Sequence, residues 1–306
     1  MPLTRSPHRS YDRPAKRIAW RDVVPWILLL LAIAVSVLPF YWVLRTSLSL
    51  NASLATNATS LLPVGFNFGA FERVFGLQST QEAIAQGGSG ADINFWVYLR
   101  NSVFFASITT AGAVFFSAMA AYAFSRLRWK GRNVVFSAFL ATMMVPPIFT
   151  ALPNFLLIKD LGLLNTMLGM VLPFIFMTPF AVFFLRQFFM NMSREVEEAA
   201  MLDGAKHFRI FFQIILPNAA APIATLVLLT FIQQWNEYFW PLLVGNSADV
   251  RVLTVGLGVF KSQSPQGAPD WSGLMAATLI SALPVLTLFM IFGKKIVNSI
   301  GFSGVK

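Results

Sequence analysis

The sequence predicts an all-α integral membrane protein with six transmembrane helices and both termini in the cytoplasm. Three observations carry this expectation. The 306 residues are 56% hydrophobic, include 31 phenylalanines and have a mean hydropathy of +0.65. A soluble domain is about 45–50% apolar, so lipid has to solvate much of this surface. The apolar residues fall in runs long enough to span, since about 20 residues cross the hydrocarbon. Lysine and arginine lie between those runs, in segments that alternate between rich and poor, as topology-setting bases do.

Residues 1–25 form a basic tail carrying Arg5, Arg9, Arg13, Lys16, Arg17 and Arg21. The apolar run 26–45 is longer than the core of a signal peptide and is expected to be a retained first span. Residues 46–94 are rich in Asn, Ser, Thr, Gly and Gln and make an extracytoplasmic loop, with a short amphipathic helix expected at 68–77. Residues 95–292 are expected to form a core of five further spans. The second span, 95–124, is lined with small residues such as Ala106, Gly112, Ala113, Ser117 and Ala118, which let helix backbones approach in lipid. The third, 134–158, contains Pro146 and Pro147, which remove backbone donors and should kink or break it near mid-membrane. The fourth, 166–185, contains Pro173 and Pro179. The fifth is expected from just after Pro217 to about 244, the sixth from 271 to 292, and a cytoplasmic tail at 293–306. Seventeen of the 23 lysines and arginines fall in the first tail, the 126–132 turn, the 186–217 segment and the C-terminal end. The positive-inside bias puts those four segments in the cytoplasm.

Several function classes are disfavoured. The net charge of +10 is dispersed between apolar runs and does not form the clustered footprint that nucleic acid requires. Without cysteine there is no disulfide, thiolate metal site or cysteine nucleophile. His8 and His207 are isolated in polar segments and read as solvated surface groups. No G-x-x-x-x-G-K-[ST] pattern occurs, so the chain is not expected to hydrolyse ATP. No cofactor is expected.

Residues 193–217 are the most polar stretch between two very apolar ones. Ser193 is an expected N-cap, with Glu195, Glu197 and Glu198 in the first turns, where the helix dipole favours acids. Val196, Ala199, Ala200 and Leu202 would make a small apolar face. Gly204 is a natural place to end that helix. A second piece carries Phe208, Phe211, Phe212 and Ile215, expected on one face, and Pro217 is expected to stop it. The alternatives are a docking element for a partner and a plain connecting loop with an interfacial helix.

The motif Glu198-Ala199-Ala200, Gly204, Ile214, Leu216, Pro217 resembles the EAA loop of permease subunits in bacterial ABC importers. N-S-V at 101–103, A-A-Y-A-F-S-R-L-R-W-K-G-R at 120–132, M-V-P-P at 144–147 and W-N-E-Y-F-W-P at 235–241 are similar to the carbohydrate-uptake, maltose-type branch of that family. Glu237 stands where the family often has Asp. The resemblance implies a type I importer permease fold in the bacterial inner membrane. It also implies a second related permease, two ATPase subunits and an extracytoplasmic solute-binding protein as partners. The coupling residues it implies are Glu198, Ala199, Ala200, Asp203, Gly204, Ile214, Leu216 and Pro217.

Intramembrane charge is rare and usually functional. Glu237 is therefore either a water-exposed pathway residue or an interfacial acid within an aromatic belt. Gln233, Trp235, Asn236 and Tyr238 are its candidate partners for binding sugar hydroxyls or stacking on sugar faces, and Pro146 and Pro147 either mark a kink lining the same cavity or are a packing feature only. A secondary transporter or channel is the alternative class, but there is no mid-bilayer carboxylate and no internal repeat to support it. A membrane assembly protein without transport is a third.

Overall fold

The computed structural model describes residues 20–90, 93–258, 260 and 269–301. Most of the expected basic tail, part of the 245–271 loop and the end of the C-terminal tail lie outside those ranges. Among the described residues all regular structure is helical. In order, it comprises α1 (Trp20–Ser47), α2 (Asn51–Leu54), α3 (Gly69–Val74), α4 (Thr80–Ala85), α5 (Phe95–Ser125), α6 (Arg132–Ala141), α7 (Pro147–Asp160) and α8 (Met167–Val171). It continues with α9 (Pro179–Met190), α10 (Glu195–Leu202), α11 (His207–Ile210), α12 (Leu216–Asn218), α13 (Ala220–Trp235), α14 (Phe239–Val244), α15 (Leu253–Gly256) and α16 (Trp271–Gly301).

The stripe of small residues makes α5 the axis of the bundle. Ala106, Thr109, Ala113, Ser117, Ala118 and Ala121 are buried in sequence along one side of it. At Gly112 an added Cβ would sit 2.6 Å from the carbonyl oxygen of Ile175, so here the neighbouring backbone comes in close, as small residues allow. Three apolar clusters lie along α5. One joins its C-terminal half to α9 and residues 210–226. Another joins its N-terminal end to α3, α13, α15 and α16. Between them, Phe105 packs with Ile158, Met170, Trp240 and Val244. By contrast α1 packs mainly along α16, and leaves Leu28, Leu30 and Val35 exposed, as lipid-facing side chains would be.

Proline decides where the remaining spans break. Val145 (φ −82°, ψ 115°) and Pro146 (φ −61°, ψ 135°) are both extended, because a residue preceding proline is pushed out of the helical region. Two successive X-Pro steps give a full break, with Pro147 opening α7, and the halves bend by 97°. The expected fourth span is not one helix. Thr178 is extended and its hydroxyl accepts from the Ala181 N–H, with Pro179 in the first turn of α9. Pro217 does not stop the helix as expected: it lies within the continuous helical stretch His207–Asn218, and the chain ahead of it, Phe211–Ile215, widens to a π-turn. The break falls at Ala219, where the two halves bend by 79°. Pro222 accounts for this, since its ring clashes with the carbonyl four residues back, at Asn218. Pro241 acts in the same way on Glu237, so the fifth helix ends at Trp235, not near 244, and α14 stands apart.

Among the described residues three helices are long and apolar enough to cross a membrane alone: Val23–Ser47, Phe95–Ser125 and Trp271–Ile291. The pairs α6–α7 and α11/α12–α13 each pass only as bent units, and α9 is a shorter apolar helix.

Residues 46–90 are structured, not a plain loop. The helix expected at 68–77 is α3, trimmed to Gly69–Val74 and followed by α4, which has a capping box between Ser79 and Glu82. Arg73 carries α3 onto the start of α16: its Nε lies 2.9 Å from Asp270 Oδ2, and its Nη2 donates to Asp270 Oδ1 and to Ser272 Oγ.

Candidate functional site

The site begins where α5 and α9 end beside one another. The last carbonyls of a helix have no partner within it, and here each helix supplies an arginine to the other. Arg186 Nε of α9 donates to the Phe124 carbonyl, 3.2 Å away. Arg126, which caps α5, donates through Nη2 to the carbonyls of Phe189 and Met192, the latter at 2.8 Å. Its Nε lies 3.0 Å from Glu197 Oε1, and the two side chains are only 4% and 6% exposed. The two atoms make no aligned hydrogen bond, so this is a charge contact. Burial pushes the Glu197 carboxyl above its ordinary range, and Arg126 and Arg194 only partly offset this.

Glu197 lies on α10, the first half of the 193–217 segment. The expected N-cap shifts by one residue: Arg194 is the cap, and the Ser193 hydroxyl accepts from the Glu195 N–H at 3.2 Å. The far end is a Schellman turn. Gly204 has φ +83°. Its N–H bonds the Met201 carbonyl, and the Ala205 N–H bonds the Ala200 carbonyl, the two bonds that define this motif. Ala200 and Ala205 pack against the cluster around α5 and α9. Outward from there the helix is open. Glu198, Ala199 and Asp203 are exposed, as are Val196 at 55% and Leu202 at 89%. The four residues expected to make one apolar face are divided, with Ala200 turned toward the bundle and Val196, Ala199 and Leu202 exposed.

The second half of the segment divides differently from expectation. Ile210, Phe211 and Ile215 are buried, whereas Phe208 and Phe212 are exposed. Spacings of i, i+3, i+4 and i+7 share one face of a regular α-helix, but Phe211–Ile215 form a π-turn, which departs from the 3.6-residue period and divides the four side chains. Phe211 packs against Tyr122, with ring centroids 5.4 Å apart. Ile214 and Leu216 pack against the same cluster, and Pro217 is exposed. Beside α10 lies a cleft of about 550 Å³ lined by Arg126, Arg128, Trp129, Arg194, Glu197 and His207 among others.

The candidate pathway residues are not gathered into one cavity. Trp235 and Asn236 line a cavity of about 360 Å³ with Phe40, Thr254, Thr278 and Ser281, but neither Pro146 nor Pro147 lines it. Trp235 donates to the Ser281 carbonyl, and Asn236 to the Ile232 carbonyl of its own helix. Gln233 and Tyr238 are exposed, whereas Gln234 is buried. Glu237 Oε1 accepts from the Trp240 N–H at 3.1 Å, at the start of α14. Glu237→Ala is expected to cost about 1 kcal/mol of stability, as losing an N-terminal acceptor does, while Glu237→Gln retains most of it; thermal unfolding of the two variants in detergent is the check.

In the sequence Arg126 reads as one more topology charge and Glu197 as one acid among several. The signal that joins them is present in the helical period: Glu197 sits three residues before Ala200, on the inward stripe of α10, where a carboxylate needs a base.

A bundle of long, bent and broken apolar helices that holds out a small polar-edged helix is a polytopic membrane protein. The family of binding-protein-dependent transport system inner membrane components matches residues 113–301. The chain is 30% identical over 280 residues to the lactose transport system permease protein LacG of Rhizobium radiobacter, covering 90% of this chain and 94% of that one. It is 29% identical over 274 residues to the diacetylchitobiose uptake system permease protein NgcG of Streptomyces coelicolor, covering 89% and 85%. Among solved structures it is similar to a bacterial ABC transporter involved in the import of the acidic polysaccharide alginate, with TM-score 0.74, 25% identity, and coverage of 92% of this chain and 98% of that one. The chain belongs to the binding-protein-dependent transport system inner membrane component family. It is a multi-pass inner-membrane permease of the ABC importer class, as the EAA resemblance implied.

Proposed function

We propose that the chain is one of two permease subunits of an ATP-driven importer for a sugar or sugar-like solute, and that α10 with its Schellman turn is the coupling element for an ATPase subunit. The observation that carries this is the outward face of α10. Glu198, Ala199, Leu202 and Asp203 are exposed on a helix whose inner side is fastened to the bundle. Small residues allow a partner to approach, and Glu198 supplies an acceptor or an ion-pair partner. The relatives are named for lactose, diacetylchitobiose and arabinooligosaccharide transport, which supports the sugar class.

Six spans with both termini in the cytoplasm are the topology that goes with this proposal; α8 and α9 together make the fourth, and each bent pair makes one. Hydrolysis of ATP belongs to two separate ATPase subunits, and solute is delivered by an extracytoplasmic binding protein. One of the solved neighbours, a bacterial alginate ABC transporter with 16% identity, is in complex with an alginate pentasaccharide-bound periplasmic protein. The Pro146–Pro147 break is part of the pathway. Met144 is 84% exposed and Ile148 60%, and irregular backbone at membrane depth is tolerated only where protein covers it or water lines it. The second permease and the solute path meet that need here. Gln233, Trp235, Asn236, Glu237 and Tyr238 lie near the outer end of this path.

The test is uptake by proteoliposomes holding this chain with its partner permease, ATPases and binding protein, over a panel of sugars. ATP-dependent uptake of one sugar class is expected. Solute movement through this chain alone, without ATP, would make it a secondary transporter or channel instead.

A further inference from the structure

The way α10 is attached to the bundle leads one step beyond the coupling role, on which this inference rests. Apolar packing holds α10 at one end only, through Ala200 and Ala205. Val196, Met201 and Leu202 are exposed, and the cleft of about 550 Å³ runs along the side that faces Arg126 and Trp129. The other fastening is the buried contact between Glu197 and Arg126. That same guanidinium holds the last turn of α9 through the carbonyls of Phe189 and Met192, while Arg186 of α9 holds the last turn of α5 through the Phe124 carbonyl.

We propose that Arg126 and Glu197 form the joint that passes displacement of α10 to α5 and α9, with Arg186 completing the clamp between the two long helices. A planar guanidinium offers several donors in fixed directions, so one residue at the cap of α5 can grip two elements at once. A force on the outward face of α10 reaches Glu197 before it reaches any apolar contact with the bundle except that at Ala200. Because the joint is buried, solvent screens it little, and α10 moves with the ends of α5 and α9 as one body. Both residues act through α10 and touch neither solute nor nucleotide, so they are positioning residues.

The test uses the whole transporter, with Glu197→Gln and Arg126→Lys compared with wild type. Gln keeps the shape of Glu197 and removes its charge. Lys keeps the charge of Arg126 and removes the fork. Both variants are expected to retain the ATPase on purification and to retain basal ATP hydrolysis. Uptake and solute-stimulated hydrolysis are expected to fall about tenfold in each, the size of change that about 1.4 kcal/mol produces. The chain has no native cysteine, so spin labels can be placed by Glu195→Cys on α10 and Phe104→Cys on α5, two exposed positions. Phe104 lies roughly 30 Å up the helix from its C-terminal end at 1.5 Å per residue. With wild-type Arg126 and Glu197, the distance between labels is expected to stay the same in nucleotide-free and ATP-bound states, and in Glu197→Gln to shift or broaden. Coupled uptake at the wild-type rate in Glu197→Gln overturns the joint, as does a label distance that changes between states with the pair intact. Loss of ATPase co-purification in Glu197→Gln also overturns it, since that outcome makes the pair part of docking. Failure of the ATPase to co-purify even with wild type would overturn the coupling role of α10 itself.

Discussion

Asp270→Ala is expected to destabilise the protein by about 3–5 kcal/mol, the usual cost of leaving a buried charge without its partner. Asp270 is fully buried and Arg73 is 8% exposed. The Asp270 carboxylate accepts from Arg73 Nε and Nη2, from Ser272 Oγ, and from the N–H groups of Ser89 at 2.9 Å and Gly273 at 2.8 Å. The last of these caps the first turn of α16. Removing the carboxylate thus orphans the Arg73 guanidinium, opens the cap and releases α3 from α16. Removing both charges with Arg73→Met and Asp270→Leu together is expected to be milder than either single charge deletion, because neither leaves an unpaired ion. Thermal unfolding in detergent measures all of these. An Asp270→Ala protein that melts with wild type would show that the pair contributes nothing to the fold.

The second large effect is expected at the coupling segment, and there it concerns transport. An added Cβ at Gly204 meets nothing within 4 Å, so space does not require glycine. The backbone does: φ is +83°, and the left-handed region costs an L-residue about 1–2 kcal/mol, more for a β-branched one. Gly204→Val therefore undoes the Schellman turn and swings α10 out of register. The Glu198 side chain is exposed, so Glu198→Ala leaves the fold alone and removes only what the partner reads. Uptake is expected to fall at least about tenfold in both, as for a residue at the centre of an interface, with membrane levels of the chain unchanged. Transport assays beside quantitative blots of the membrane fraction decide this. Normal uptake in both variants would remove the docking role from α10.

Local rules made much of this legible in advance. The stripe of small residues in 95–124 marked the central helix, and the adjacent prolines at 146 and 147 marked a break. The spacing from Glu198 to Pro217 marked the segment now seen as α10, its glycine turn and the π-turn after it. The misses share one cause with the successes. Pro222 and Pro241 break the fifth span by the same clash four residues back that makes any interior proline costly, whereas at Pro217, the expected stop, the residue four back lies in the widened π-turn Phe211–Ile215 and the helix runs on to Asn218. The face expected for Phe208, Phe211, Phe212 and Ile215 follows a 3.6-residue period, and the π-turn at Phe211–Ile215 takes the chain off that period.

By itself the sequence determined the lipid solvent, the helical class, the break at Pro146–Pro147 and the family to which the chain belongs, because each depends on composition or on side chains close together in the chain. Only the tertiary structure decided which charges are joined. Arg73 finds Asp270 across 197 positions, and Arg126 leaves the basic turn to meet Glu197 and the end of α9. A charge in the sequence is the same letter whether water or a buried carboxylate receives it. What separates the two is the packing of α3 on α16 and of α5 on α9, which places a desolvated partner within reach.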